Sequence, residues 1–193
     1  MRIITVFLTI VLAATTARAQ QSVPPPPQPA PDKPAGPTLE VTMQFIQDKL
    51  NGIGTVNFAG YVHDSANNTD NVQKFAATFS NVVANPSACT LSYHRLVINN
   101  GSREHDENVL INLREVQSIS VLPDEQDWQM FLVRTGDTTK TVKDVPDVFA
   151  LVIKLPGRDP TIRFYDQALA DRVAKALVHA VELCGGGPKP EPF

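Results

Sequence analysis

Two cysteines, four histidines and two clusters of acidic residues are the side chains here whose chemistry reaches beyond packing. Cys89 and Cys184 are too far apart for a Cys-x-x-Cys redox motif. In an exported chain two cysteines suggest a disulfide, and a Cys89–Cys184 bond would close a loop of about 95 residues. The alternative is a pair of buried free thiols acting as small hydrophobes. His63-Asp64 and His105-Asp106 are expected in loops, His94 in a strand and His179 in a helix. Were the two loops to meet, they could hold zinc or a general base. With no His-x-x-x-His and no cysteine cluster, solvated loop histidines are the simpler reading. Glu104, Asp106 and Glu107 form one acidic patch, and Asp124, Glu125 and Asp127 another. Neither has the spacing of an EF-hand, and both read as solvated loops.

Other reactive signatures are missing. There is no Gly-x-Ser-x-Gly and no Ser-x-x-Lys. Gly52-Ile53-Gly54 is not followed by a helix, and Gly185-Gly186-Gly187 follows one instead of opening one, so neither is a phosphate loop. Asn67-Asn68-Thr69 and Asn100-Gly101-Ser102 are glycosylation sequons in form, without expected occupancy in a chain whose leader looks bacterial. The expectation is therefore a non-enzyme with no catalytic residue, cofactor site or metal ligand.

The compartment is read from the N-terminus. Arg2, the apolar run Ile3 to Ala14 and the small-x-small site Ala17-Arg18-Ala19 make residues 1–19 a secretory signal peptide, cleaved between Ala19 and Gln20. The run is shorter than the roughly 20 residues that cross a bilayer. Cleavage takes two of the 17 basic residues and none of the 20 acidic ones, leaving a formal charge of −5. That argues against nucleic acid as a partner. No later stretch is long and apolar enough to span a membrane, so the product is expected in the periplasm or outside the cell. Residues 20–37, with Pro24 to Pro27 and four further prolines, form a linker favouring extended polyproline II. It reads as a tether, or as a ligand for a proline-binding domain. Residues 185–193 are expected as a loose tail and 38–184 as one globular domain.

The elements that must position these side chains follow from periodicity. Leu39, Met43, Ile46 and Leu50 share a helix face that Thr38 can cap, and Gly52 and Gly54 end it. Strands follow: Val56 to Val62 with every second residue apolar or glycine, then Phe75, Ala77 and Phe79 after a polar loop over residues 63–71. Cys89, Leu91 and Tyr93 alternate until the phase slips near Arg95, where a bulge is expected. Asn99-Asn100-Gly101-Ser102 is a hairpin turn. Val109 to Leu113, Val116 to Val121, Phe149 to Leu155 and Ile162 to Phe164 continue the series. Pro123 to Asp127 reads as an acidic loop, and Trp128 to Val133, apolar at five of six positions, as a buried or barrel-wall segment. A last helix, Asp166 to Cys184, carries the stripe Leu169, Val173, Ala176, Leu177, Ala180 and Cys184, with Asp166 as N-cap. The aromatic side chains Phe58, Phe75, Phe79, Phe131, Phe149 and Phe164 are core candidates. Trp128 is another, unless it lines a groove at a rim. The fold expected is α+β, mainly β: a small antiparallel barrel or curved sandwich of about seven strands with an N-terminal and a C-terminal capping helix.

Two strand groups closed by a C-terminal helix, with the passage Ile111-Asn112-Leu113-Arg114-Glu115-Val116-Gln117-Ser118-Ile119, resemble the pleckstrin-homology-like fold of the GRAM and bacterial type. The proline linker and the Leu183-Cys184-Gly185-Gly186 ending resemble secreted bacterial proteins. Lipid-binding members of the fold place Lys and Arg between their first two strands. Here that loop is residues 63–71, with Asp64 and Asp70 and no basic residue, so no lipid-binding residue carries over. Together these readings point to an exported, non-enzymatic envelope protein binding a protein or peptide, or serving a structural role. The alternatives are a barrel carrying a small ligand or lipid and, behind it, a metal-dependent hydrolase built on the His63 and His105 loops.

Overall fold

A computed structural model describes residues 36–187. The signal peptide, its cleavage point at Ala19 and Gln20, most of the linker and the end of the tail lie outside the described residues.

Helix α1 (Leu39–Asn51) starts where Thr38 Oγ1 accepts a hydrogen bond from the Val41 amide, and it buries Met43, Ile46 and Leu50. Five strands follow as an antiparallel sheet in the order β4-β3-β2-β1-β6, comprising β1 (Thr55–Asp64), β2 (Thr69–Asn85), β3 (Thr90–Asn99), β4 (Ser102–Asn112) and β6 (Lys140–Lys143). A smaller antiparallel sheet has the order β5-β7-β8, from β5 (Ser118–Pro123), β7 (Phe149–Lys154) and β8 (Thr161–Phe164). Helix α2 (Asp124–Arg134) joins β5 to β6, and α3 (Gln167–Leu183) closes the domain. Of the two expected forms the architecture is the sandwich, not the closed barrel, and its eight described strands agree with the expectation of about seven.

One hydrophobic cluster draws side chains from both sheets and from α1 and α3. Alternation explains its composition: Leu91, Tyr93 and Val97 of β3 and Val109 and Ile111 of β4 point inward together. On α3 the most deeply buried positions are Ala170, Val173, Leu177 and Ala180, with Leu169 and Ala176 at the margin of the stripe. Asp166 caps this helix by accepting from the amides of Ala168 and Leu169. Cys184, at its C-terminus, is disulfide-bonded to Cys89, which immediately precedes β3, with the Cα atoms 5.8 Å apart.

Three local expectations need correction. The polar stretch 63–71 is mostly strand: β1 runs to Asp64, β2 begins at Thr69, and His63 pairs with Asp70. The hairpin projects past the core, so its side chains can be polar while its backbone stays laddered. The same holds for residues 102–107, which belong to β4, so His105 and its acidic neighbours are strand residues. The bulge expected near Arg95, where Leu96, Val97 and Ile98 are all apolar, is present: the register slips between Val97 and Ile98, while Arg95 stays paired with Phe79 and Glu107. A second irregularity, between Ser80 and Val83, coincides with Asn81 in the left-handed region at φ 54°. Finally, Trp128 to Val133 is helix α2, and the expected acidic loop is its first turn.

The start of the expected loose tail is docked. Gly186 donates its amide to Val181, and Gly187 to Val116. A Cβ on Gly186 would strike the Leu113 carbonyl oxygen and lie 3.1 Å from Arg114 Cα. Both neighbours are backbone and cannot rotate away. Gly186→Ala is expected to cost about 1–3 kcal/mol, the range for overpacking a filled site. The readout is a lower urea midpoint at unchanged slope.

Candidate ligand-binding cleft

The inward face of the large sheet continues past the core. There the ends of β1 to β4 form one wall of a cleft, and α2 with the segment Asp159 to Arg163 forms the other. Its volume is about 720 Å³. Phe58 of β1 and Phe75 of β2 stack across the strand pair with centroids 5.0 Å apart, and Trp128 meets Phe75 edge-on at 5.1 Å. Gly60, between Phe58 and Val62 on the same face, makes room for the indole. A Cβ there would lie 2.8 Å from Val145 Cγ2 and 3.0 Å from Trp128 Cζ3. Gly60→Val is therefore expected to displace Trp128. It should cost about 1–3 kcal/mol and shift the emission of this sole tryptophan, checked by denaturation and fluorescence on one sample.

The polar side chains come from two directions. Asn71, Gln73, Arg95, Asn99, Glu104 and His105 arise from the sheet. Asp124 and Asp127 arise from the first turn of α2, where the partial positive charge of the helix end favours carboxylates. Both are buried, Asp124 to 1 % exposure, against a loop expectation for each. Arg163 of β8 donates from Nε to Asp124 Oδ1 at 2.7 Å, while its Nη2 lies 3.9 Å from Asp127 Oδ2 and its guanidinium lies over the Phe58 ring. Burial pushes both carboxyls above the usual carboxylate range, with Arg163 pulling back in each case; Asp127 adds to the rise at Asp124. Across the cleft Arg95 is hydrogen-bonded to Glu107, which holds that carboxyl below its ordinary value.

Among the described residues, four buried side-chain atoms have no protein partner: Tyr93 Oη, Arg95 Nε, Asn99 Oδ1 and Asp124 Oδ2. The last three belong to residues lining the cleft. An unpaired buried donor or acceptor costs about 1–3 kcal/mol, and three of the four belong to residues lining this one cavity.

The histidines do not converge. His105 lines the cleft, whereas His63 and His94 stand on the opposite phase of their strands, paired with Asp70 at 2.7 Å and Asp106 at 2.9 Å. β2 and β3 separate the strands of His63 and His105, roughly 14 Å at the usual strand spacing. His179 donates from Nε2 to the Pro37 carbonyl. Among the described residues no three His, Cys, Asp or Glu side chains are grouped to hold a metal ion. Of the aromatic core candidates, Phe58, Phe79 and Phe164 are buried, while Phe131 is 53 % exposed at the cleft. Periodicity missed Arg95 and Arg163, although Arg95 left a signal: it is a charge in phase with Leu91, Tyr93 and Val97.

Comparison with known proteins finds no match among family models, curated proteins or solved structures.

Proposed function

We propose that this chain is an exported, non-enzymatic binding domain whose cleft takes a small ligand. One observation carries the reading: a cleft of about 720 Å³, within the roughly 300–1,000 Å³ of small-molecule sites, with aromatic walls and a few convergent polar groups. This cleft is the reason to favour the carrier of a small ligand or lipid over the partner-binding module. A leader, a tether and a disulfide support export, and no helix among the described residues is long and apolar enough to cross a membrane. The two sheets and capping helix support kinship with the pleckstrin-homology-like fold.

Trp128 provides the test, since it lines the cleft and is the sole tryptophan. Phenol, hexanoate and glucose, added separately to the oxidised protein at millimolar concentration, should perturb Trp128 emission and the amide resonances of residues 71–75 and 124–131. Probes that gather elsewhere, or nowhere, would refute a ligand-binding cleft.

A second reading, a docking face for an envelope protein or peptide, is favoured by a groove on the far side of α2. Leu122, Met130, Val133 and Val152 line it, and Val133 is 57 % exposed. Strand addition at β4 is disfavoured, because that edge carries Arg103, Glu104, His105, Asp106 and Glu107 in succession.

A further inference from the structure

We propose that Pro188-Lys189-Pro190-Glu191-Pro192-Phe193 docks in cis on the free edge of β5, as a fourth strand of the small sheet running parallel to β5. The proposal is independent of the ligand-binding cleft. It goes beyond the second reading too, because it gives the groove beside α2 an occupant from this chain.

The edge is open, and the strand beside it fixes which groups it offers. β5 is the outer strand of the order β5-β7-β8. The Asp124 amide donates to Val148, and Ser118, Ser120 and Leu122 share its phase in the register with β7. Antiparallel hydrogen bonds join alternate residues, so the backbone groups of Ile119 and Val121 point away from β7. Among the described residues they meet no other strand. A row of open N–H and C=O groups is a template for one more strand.

The chain reaches this edge already paired. α3 ends in a Schellman turn, with Gly186 donating to Val181, Gly185 donating to Glu182, and Gly185 at φ 75°. Gly187 then donates to Val116, just upstream of β5. Gly186 lies against Leu113 and Arg114, and Gly187 reaches Val116, so the two segments advance in the same direction. With the Gly187 N–H turned toward Val116, strand alternation turns those of Lys189, Glu191 and Phe193 the same way. Positions 188, 190 and 192 face outward, and all three are proline. There the missing N–H costs no rung, and the new edge is left without donors. Prolines one position later would forbid the pairing. In this register Lys189 donates to Ile119 and Glu191 to Val121, and the Ile119 and Val121 amides donate to Gly187 and Lys189. Lys189, Glu191 and Phe193 then share the face of Ser118, Ser120 and Leu122. That face opens on the groove of about 490 Å³ lined by Leu122, Met130, Val133 and Val152. The apolar Phe193 side chain thus meets an apolar groove.

The test measures residue-resolved amide exchange by NMR on the full, disulfide-bonded chain. Ile119, Val121, Lys189 and Glu191 should all be protected, and the Phe193 ring should show proton–proton contacts to Met130 and Val133. Lys189→Pro removes an inward N–H and should speed exchange at Ile119 and Val121 about tenfold. Pro190→Ala adds only an outward N–H and should leave both unchanged. Slow exchange at the core amides of Leu91 and Leu151 reports that each variant stays folded. Exchange at Ile119 and Val121 as fast as in an unstructured peptide overturns the proposal. An equal effect of the two substitutions overturns it as well, because the pairing would then have no register. Protection that grows with protein concentration places the strand in a second copy and overturns docking in cis. None of these outcomes touches the cleft, whose Trp128 response is read separately.

Discussion

Replacing Cys89 and Cys184 together by alanine is expected to lower the thermal midpoint by roughly 10 °C, the largest effect of any change that leaves the cleft untouched. The bond joins residues 95 apart in sequence, and in the chain-entropy model a loop of that length contributes about 4–5 kcal/mol. For a domain of this size each kcal/mol moves the midpoint by about 2–4 °C. Its location adds to the effect. The bond ties the C-terminus of α3 to the turn before β3, beside the 3-10 turn Leu113–Glu115 on which Gly186 rests. Both cysteines are buried, so the double alanine variant also leaves a small void, whereas a single variant would leave a lone thiol. Alanine is the right replacement at position 89, because Cys89 sits in the left-handed region at φ 55° and glycine there would relieve backbone cost and mask the loss. Calorimetry without reductant, with the wild type in dithiothreitol as a second arm, reads the effect. A shift under about 3 °C in both arms would mean that the packing of α3 against the core already restrains the loop.

The larger outline was legible because it rests on short-range pattern. Thr38 and Asp166 cap the helices they precede, the buried stripe of α3 follows the period of the sequence, and Cys89, Leu91 and Tyr93 are buried in alternation as expected. Two kinds of feature escaped. Hairpin ends such as His63 to Asp70 and Ser102 to Glu107 are strands held by backbone ladders, and side-chain polarity says nothing of a ladder whose faces are both wet. Helix α2 escaped because Trp128 to Val133 is too short and too apolar for period to separate helix from strand. A signal was nonetheless there: three carboxylates directly after Pro123 and Arg134 in the last turn mark a helix start and stop. The cleft was hidden for a different reason. Asp124 meets Arg163 across 39 residues, and Phe75 meets Trp128 across a still longer interval, so neither pairing has a local trace. Acidic residues in sequence look solvated until a partner from another strand buries them.

Arg163→Met is expected to cost about 3–5 kcal/mol at pH 7, because it keeps the packing of the stem and leaves Asp124 and Asp127 buried without their cation. The pH dependence distinguishes this cause from a packing defect. Burial raises both carboxyls above their unfolded values, so the folded state binds protons more tightly than the unfolded one. Their contribution is therefore fully present below the unfolded carboxylate value of about 4 and is lost as pH rises through the higher folded values. Arg163 opposes that rise, and removing it moves the folded values further up. The variant should thus regain much of its lost stability between pH 7 and about pH 5, whereas a defect of packing would persist at every pH. Glu107 and Asp137, whose carboxyls are held low, pull the wild-type profile the other way. The quantity to read is accordingly the difference between variant and wild type in urea denaturation at matched pH. Adding Asp124→Asn and Asp127→Asn to Arg163→Met should flatten that difference, since an amide has no proton to gain. A flat difference in the single variant would show that the two carboxylates remain hydrated when Arg163 is gone, and that α2 is held over the sheet by Trp128, Leu132 and the Gln129 hydrogen bonds to β6 without help from the ion pair.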